Sequence, residues 1–220
     1  MILEDLQLWH DPIPRSGPEN MAVDEWLLER EEIPLLRVYD WLGDWVSLGY
    51  FGQRREAEAM MGKGVPLVRR ATGGGIVDHR IDRTYSLVVP KACELARRRG
   101  TESYRAIHTA LAAALHMVGV EARLITEDSE HDSAACFEKS VAWDIADGEG
   151  NKLAGAGQRR TRSGLLHQGS VVVAADCRDL FVALAEGVAL KVVAIRREPS
   201  EEDLAAMIEK FQSGAWLERR

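Results

Sequence analysis

The stretch Val68-Arg69-Arg70-Ala71-Thr72-Gly73-Gly74-Gly75-Ile76-Val77 joins a short apolar segment to three consecutive glycines. Residues 66–68 are typical of a short strand, and two arginines follow them. The three glycines have no Cβ atom, so their backbone can adopt positive φ angles and approach another molecule closely. Exposed N–H groups in such a turn, like the flanking guanidiniums, can bind a carboxylate, phosphate or carbonyl group. The stretch predicts either a ligand-binding loop or a plain tight turn between two strands.

This loop differs from two familiar phosphate-binding loops. It lacks a Gly-Lys-Ser/Thr ending, and it contains no G-x-G-x-x-G sequence that opens a helix. The glycines therefore predict neither of those two nucleotide-binding motifs.

The composition is that of a soluble globular protein. The chain has 220 residues, of which 46% are hydrophobic and 29% charged. No apolar run reaches the ~18 residues needed to cross a bilayer. Residues 1–5 show no basic region followed by an apolar stretch, so we expect no signal peptide, no association with a membrane and a cytoplasmic location. A chain of this length can form one compact domain, and we expect residues 1–220 to do so.

Charge and cysteine content exclude several classes of function. The net charge of -7 argues against a general nucleic-acid-binding surface. Cys93, Cys136 and Cys177 are an odd number at wide spacing, which argues against a disulfide framework and provides no CxxC metal pair. We expect no nucleic-acid partner and no metal site, and any functional cysteine to act as a thiol.

Predicted strands and helices are mixed along the chain, with Asn20 as the N-cap of the first helix. The main predicted strands cover residues 3–9, 35–39, 84–89, 141–146, 152–159 and 165–173, and the main helices cover residues 21–30, 101–118, 201–211 and a segment from a cap at Asp176 to about residue 189. Hairpin-like neighbours outnumber β-helix-β crossovers. We therefore expect an α+β fold, with a mixed, largely antiparallel sheet flanked by helices.

Lys152 is the first candidate for chemistry. It begins a strand that is poor in β-branched residues, so we expect a ligand or another backbone to lie against that strand. Near a buried ligand a lysine can shuttle a proton or polarise a carbonyl group. The alternative is an ordinary solvated lysine at a strand end.

Cys136 is the second candidate. It lies in a polar segment that enters the predicted sheet, where a thiolate could meet a substrate, although a buried inert thiol is the alternative. His108 and His116 lie two turns apart on one predicted helix, and no partner is evident in the sequence. We interpret both histidines as surface or packing residues.

Several segments together resemble the biotin/lipoate protein ligase and octanoyltransferase superfamily. The order and spacing of the segments make the resemblance specific, and it covers roughly residues 5–190. The segments are Arg69-Arg70-Ala71-Thr72-Gly73-Gly74-Gly75-Ile76-Val77-x-His79, Asn151-Lys152-Leu153-Ala154-Gly155-Ala156-Gly157-Gln158-Arg159-Arg160 and Leu166-His167-Gln168-Gly169-Ser170, supported by Asn20-Met21-Ala22-x-Asp24-Glu25 and Val46-Ser47-Leu48-Gly49-x-Phe51-Gly52-Gln53.

The resemblance implies a catalytic domain that holds a medium-length acyl chain in a tunnel and moves it to a lysine of a lipoyl carrier domain. Lys152 matches the family's essential lysine, at the acyl carbonyl, and His79 would close the pocket. The implied acyl-binding residues are Arg70, Thr72, Gly73, Gly74, Gly75, His79, Gly155, Ala156, Gly157 and His167.

The superfamily contains two mechanisms. Ala135-Cys136-Phe137 and Thr84-Tyr85-Ser86 resemble the cysteine-dependent octanoyltransferases, which take octanoate from acyl carrier protein through a cysteine thioester. This implies Cys136 and Lys152 as catalytic residues, no cofactor, and a lipoyl domain or the glycine cleavage H protein as acceptor. The alternative is a lipoate-protein ligase, which uses ATP and magnesium to form an acyl-adenylate and would leave Cys136 as a bystander.

Departures from the family pattern keep the alternatives open. His79-Arg80 and Asp82-Arg83 replace the common His-Asp and Gly-Asn, which weakens adenylate binding more than thioester chemistry. Gly75 replaces an arginine that is frequent in the cysteine-dependent branch, and His167-Gln168 inverts a usual Gln-His, so the role of His167 is open. We expect no C-terminal accessory domain of the kind that many ligases carry. A third hypothesis is a module that binds acyl groups or carrier proteins without catalysis.

Overall fold

The computed structural model describes residues 1–126, 142–173 and 178–219. These residues form a large sheet, a small sheet and helices on both faces of the large one. The large sheet contains β1 (Leu3–His10), β2 (Leu35–Tyr39), β6 (Arg83–Pro90), β7 (Arg123–Leu124), β8 (Ile145–Ala146), β9 (Lys152–Arg160), β10 (Gly164–Val171) and β11 (Ala189–Ala194). The small sheet contains β3 (Val46–Leu48), β4 (Leu67–Arg69) and β5 (Ile76–Asp78). The helices are α1 (Gly17–Arg30), α2 (Arg54–Met61), α3 (Glu94–Arg97), α4 (Gly100–Met117), α5 (Arg178–Val188), α6 (Glu201–Gln212) and α7 (Gly214–Leu217).

The large sheet is mixed and largely antiparallel, as the sequence predicts. Its strand order is β11-β1-β2-β6-β10-β9-β8-β7. Strand β1 runs parallel to both β11 and β2, and the pairs from β2 to β7 are antiparallel. The central hairpin of β9 and β10 places the segments around Lys152 and His167 side by side. The expected fold class is confirmed.

Helices cover both faces of the large sheet. Because side chains alternate along a strand, Leu165 packs into the core with α4 and α5, whereas its neighbour Leu166 packs into the core with α1 and α6. Within the described ranges, no helix is long and apolar enough to span a membrane.

The glycine stretch connects β4 to β5 and lies against β9. A Cβ atom on Gly157 would lie 2.3 Å from the carbonyl oxygen of Gly73, and one on Gly49 would lie 1.9 Å from the carbonyl oxygen of Gly74. Gly74 itself has a φ of 96°, which a residue with a side chain rarely adopts. The expectation that another backbone lies against the strand beginning at Lys152 is therefore confirmed.

The first helix begins earlier than the sequence analysis predicts. Ser16 is the N-cap, and its backbone N–H donates to the Glu19 carboxylate at 2.8 Å. Pro18 is compatible with this first turn, where its missing N–H is not needed. Asn20 lies inside the helix, buried, and its side chain donates to the carbonyl oxygen of Arg15. The prediction of Asn20 as the cap is wrong, because the Ser-x-x-Glu capping box was the stronger signal.

Two strands also differ from prediction. The helix expected to reach residue 189 ends at Val188, and β11 follows it directly, because pairing with β1 offers this segment a sheet edge. Of the strand expected at 141–146, Ile145 and Ala146 are in β8, while Ala142 and Trp143 form a turn in which Trp143 has a φ of 75°. Residue 141, Cys136, Asp176 and Cys177 lie outside the described residues.

Candidate active site

A pocket lies between the α1 face of the large sheet and the small sheet. It encloses about 410 Å³ of empty space, including the part open to solvent. Its wall combines apolar and aromatic side chains with backbone and a few polar groups. The lining residues are Met21, Tyr39, Trp41, Arg70, Val77, His79, Thr84, Lys152, Gly155, Ala156, Gly157, Gln168, Gly169 and Ser170.

Half of the ten residues that the family resemblance assigns to acyl binding line this pocket. Arg70, His79 and the segment from Gly155 to Gly157 line it, as does Lys152. The structure brings these residues together from three separate segments of the chain. Their roles in binding and catalysis remain predictions.

The Lys152 ammonium is buried beside a carboxylate. Its Nζ lies 2.7 Å from Oδ2 of Asp144, and the two side chains are 3% and 0% exposed. Tyr104, on α4, donates a hydrogen bond of 2.5 Å to Oδ1 of the same carboxylate. The Tyr104 oxygen in turn accepts from the backbone N–H of Ala156 at 2.9 Å. Lys152 is therefore not a solvated strand-end residue, because it forms a buried ion pair at the pocket wall.

Arg70 holds the glycine loop in place. Its Nη2 donates to the carbonyl oxygens of Gly73 and Gly75 at 3.1 and 3.0 Å. Thr72, fully buried, donates to the side-chain oxygen of Gln168 at 2.7 Å and so fastens the same loop to β10. The glycine loop, which the family resemblance assigns to acyl binding, is thus held by Arg70 and by Gln168.

A second polar network lies at the end of the pocket near Trp41. Arg70 donates to Ser47 at 2.5 Å, and Ser47 Oγ lies 2.6 Å from Nε2 of His79. On the other side of the ring, Nδ1 of His79 lies 2.9 Å from Oδ2 of Asp82. The His79 ring stacks on Trp41 with centroids 3.9 Å apart. These contacts fix the orientation of His79 as part of the pocket wall.

Buried charges support the pocket from behind Gln168. The Gln168 amide donates to Asp24 Oδ2 at 2.7 Å, and Ser86 donates to Asp24 Oδ1 at 2.7 Å. Arg37 completes the cluster with a 2.8 Å bond to the same carboxylate. The cluster holds Gln168 in one orientation, which in turn fixes Thr72.

His167 lies on the opposite face of the sheet from the pocket. Its Nδ1 accepts from the Gln158 amide at 3.0 Å, and its Nε2 lies 3.1 Å from the Tyr85 hydroxyl. Burial, followed by electrostatic interaction with His108 and Arg160, holds the pKa of His167 well below its usual value. The expected place of His167 among the acyl-lining residues therefore differs from its observed place beneath α4.

His108 is buried on the same face, where it packs against Tyr104 and His167, in agreement with the packing role that the sequence analysis left open. Its Nδ1–H donates to the carbonyl oxygen of Trp143 at 2.7 Å. Its Nε2 has no hydrogen-bond partner among the described residues. Burial lowers the pKa of His108 to about 4, so its ring is neutral at physiological pH. His116, by contrast, is exposed, as expected of a surface residue.

Cys136 lies outside the described residues, but the ends of its segment are defined. The chain leaves the described part after Thr126 and returns at Ala142. Ile125 N–H donates to the carbonyl oxygen of Asp144 at 2.8 Å, and Trp143 N–H donates to the carbonyl oxygen of Ile125 at 2.7 Å. Ile125 and Trp143, which lie next to the two ends of the described ranges, are therefore bonded to each other, and Ile125 is also bonded to the backbone of Asp144.

Asp144 and Tyr104 were not identified from the sequence. Asp144 was counted as part of a strand, and Tyr104 as one residue of an amphipathic helix. Neither has a fixed spacing to Lys152 that marks it as a partner, and an ion pair between residues from different elements leaves no local pattern. The one available signal was that Asp144, an acidic residue, lies a few positions before the strand that Lys152 begins.

Comparisons with known proteins give a consistent result. Residues 16–214 match the family model described as the lipoyl protein ligase A/B catalytic domain. The chain is 38% identical over 183 residues to an octanoyltransferase LipM from Kyrpidia tusciae, covering 77% of this chain and 66% of that protein. It is 34% identical over 222 residues to an octanoyltransferase LipM from Symbiobacterium thermophilum, covering 94% of this chain and 79% of that protein.

A solved structure shares the fold. The bipartite lipoate protein ligase of Thermoplasma acidophilum, studied with its E2 lipoyl domain, superimposes with a TM-score of 0.73. The match covers 99% of this chain and 98% of that chain at 20% identity. At this identity the similarity establishes the architecture of the domain.

Proposed function

Because the chain belongs to the family of the lipoyl protein ligase A/B catalytic domain, we propose that it is an octanoyltransferase of the cytoplasm. It moves an octanoyl group from acyl carrier protein to a lysine of a lipoyl domain or of the glycine cleavage H protein. The observation that carries the proposal is the Lys152 ammonium, buried at the wall of the pocket and paired with Asp144. Relatives named octanoyltransferase support transfer over adenylation.

The pocket suits the tail of an eight-carbon acyl chain. Met21, Trp41 and Val77 line it and offer apolar contact. Burial of each methylene contributes ~0.8 kcal/mol, so the six methylenes of an octanoyl chain contribute about 5 kcal/mol. This energy favours octanoyl over short acyl groups. It also holds the thioester carbonyl at the end of the pocket where Lys152 lies.

The first half of the reaction moves the acyl group to the enzyme. The Cys136 sulfur attacks the thioester carbonyl, a new carbon–sulfur bond forms, and the bond to the carrier sulfur breaks. The proton of the Cys136 thiol must reach the departing carrier thiolate. Lys152 and Asp144, 2.7 Å apart, form a pair through which this proton can pass, and backbone N–H groups stabilise the oxyanion.

The second half moves the acyl group to the acceptor. The amine of the acceptor lysine attacks the Cys136 thioester, an amide bond forms, and the Cys136 thiolate leaves. The amine loses a proton, which the same Lys152–Asp144 pair returns to the thiolate. The two halves restore the free enzyme without any net gain or loss of protons.

Intact-protein mass spectrometry tests this proposal. The purified protein is mixed with octanoyl-acyl carrier protein in the absence of ATP, and wild type is compared with Cys136→Ala. Cys93→Ala is the matched control, since Cys93 is a half-buried thiol whose pKa is raised by burial. We expect a hydroxylamine-labile octanoyl adduct on wild type and on Cys93→Ala, and none on Cys136→Ala.

Other outcomes would assign the protein differently. If no adduct forms but free lipoate and ATP modify a lipoyl domain, the protein is a lipoate-protein ligase, with ATP and magnesium as its requirements. If the protein binds octanoyl-acyl carrier protein and catalyses neither reaction, it is a non-catalytic binding module.

A further inference from the structure

Tyr104 connects helix α4 to the Lys152–Asp144 pair. Its hydroxyl donates to Asp144 Oδ1 at 2.5 Å and accepts from the backbone N–H of Ala156 at 2.9 Å. Lys152 Nζ lies 2.7 Å from the other oxygen of the same carboxylate. The carboxylate is thus held from α4 on one side and faces the ammonium on the other.

The Tyr104 hydroxyl is fixed as a hydrogen-bond donor. Burial and the negative charge of Asp144 raise its pKa well above the usual value, so the phenol keeps its proton at neutral pH. Its ring is packed against the rings of His108 and His167, with centroids 4.1 and 5.7 Å away. The position of the oxygen is therefore set by packing as well as by its two hydrogen bonds.

The hydrogen bond from the Ala156 N–H to Tyr104 links the Tyr104–Asp144 contact to the pocket wall. Ala156 lines the pocket, and its N–H lies in β9, the strand that Lys152 begins. Without the Tyr104 hydroxyl, the Asp144 carboxylate loses one of the groups that fix its orientation, and the lysine ammonium that it binds can shift with it. A displacement of about 1 Å in a reacting group can reduce a rate about 100-fold.

We propose that Tyr104 is a positioning residue for acyl transfer, which holds Asp144 so that the Lys152 ammonium faces the acyl carbonyl. This inference rests on the proposed octanoyl transfer. Tyr104 acts through Asp144 and touches no reacting atom, so its loss affects the rate of the chemical step and leaves binding of the acyl chain in place.

The substitution Tyr104→Phe removes the hydroxyl and keeps the ring that packs against the two histidines. Tyr85→Phe is the matched control, because Tyr85 is also fully buried on this face but bonds to His167 instead of Asp144. We expect Tyr104→Phe to lower kcat for octanoyl transfer about 10- to 100-fold with KM for octanoyl-acyl carrier protein within about twofold of wild type. Tyr85→Phe should leave both constants within about twofold.

Chemical labelling of Lys152 provides a readout that does not depend on activity. The three proteins are treated briefly with acetic anhydride, and acetylation of Lys152 is quantified by peptide mass spectrometry, with circular dichroism to confirm folding. We expect Lys152 to be labelled several-fold faster in Tyr104→Phe than in wild type or Tyr85→Phe, because its side chain, 3% exposed in wild type, is held less firmly and meets the reagent more often.

The two measurements separate the two proposals. If wild type transfers no octanoyl group, the proposed function fails, and the labelling comparison alone decides the role of Tyr104. Equal labelling and equal kinetics in Tyr104→Phe and Tyr85→Phe would overturn the inference. A raised KM with unchanged kcat would also overturn it, since that result means a role in acyl binding.

Discussion

Two buried cations in this protein, Arg37 and Lys152, differ in their surroundings. Arg37 is 0% exposed, and all five of its N–H groups donate to neighbouring side chains or backbone. Nε and Nη2 bind Asp11, Nη1 binds Asp24, and Nη1 and Nη2 also bind Asn20. Its guanidinium also stacks over Tyr39 at 4.0 Å from the ring centroid. A cation with every donor engaged stabilises one arrangement of α1 and β2.

Lys152 has the same low exposure but a different position. It is the first residue of β9 and borders the pocket, and its ammonium pairs with Asp144. A lysine ammonium is a compact charge on a flexible stem, and it can give up or take a proton more readily than a guanidinium. The comparison teaches that burial of a charge alone does not identify a catalytic residue, and that a neighbouring pocket is needed as well.

The largest effect is expected on replacing Lys152. We predict that Lys152→Met lowers the rate of octanoyl transfer by about 10²- to 10⁴-fold, the usual contribution of a positioned acid–base group. The loss of stability should be smaller than for Arg37, because Lys152→Met removes the counter-ion of one carboxylate, which keeps the hydrogen bond from Tyr104, whereas Arg37 pairs with two carboxylates. Single-turnover kinetics and urea unfolding measure the two quantities.

A rate for Lys152→Met within about tenfold of wild type would show that another group moves the proton. In that case the comparison between the two cations would not hold, because both would serve the fold alone.

The second effect concerns Arg37. We predict that Arg37→Met lowers the free energy of unfolding by about 3–5 kcal/mol, because Asp11 and Asp24 then stay buried without their counter-ion. The rate per folded molecule should fall far less than in Lys152→Met, since Arg37 is absent from the pocket lining and reaches it only through Asp24 and Gln168. Urea unfolding and the rate per folded molecule test this prediction. A rate loss as large as that of Lys152→Met would place Arg37 in the reaction itself.

The third effect concerns His108, a buried titratable group whose ring is neutral, whereas Arg37 and Lys152 form buried ion pairs. The pKa of His108 is lowered by burial from 6.5 to about 4, so the unfolded chain binds its proton more readily than the folded one. The contribution of His108 to stability is therefore complete above pH 6.5 and is lost as the pH falls towards about 4. Between pH 7 and pH 4, wild type should lose about 3 kcal/mol more than His108→Gln.

Unfolding free energies at several pH values measure this difference. Parallel pH dependences for the two proteins would mean that the pKa of His108 is the same in the folded and unfolded chains, so that burial does not keep its ring neutral.

The glycine-rich part of the site could be predicted because its effect depends on the backbone of the glycines themselves. Gly73 to Gly75 and Gly155 to Gly157 are unusual in any strand or loop, and a close approach of two backbones is what glycine permits. Lys152 could be identified as a candidate from its place at the start of such a strand. Each of these signals is contained in a few consecutive residues.

Partners from distant elements could not be predicted. Nothing in the sequence around Asp144 indicates its ion pair with Lys152. His167 is next to Gln168 in a motif, although the two side chains point to opposite faces of β10. In a strand, successive residues face opposite sides, so adjacency in sequence does not mean a shared site.

The sequence by itself determined the mixed sheet, the family resemblance, the glycine loop and the candidate lysine, because periodicity, turn residues and local motifs are properties of short segments. Only the tertiary structure decided that Lys152 is buried against Asp144, that Tyr104 holds that carboxylate, and that Arg37 belongs to the core of the fold. The physical reason is that the interaction of a charge depends on the dielectric and the partners around it, and these are assembled only when distant strands and helices pack together.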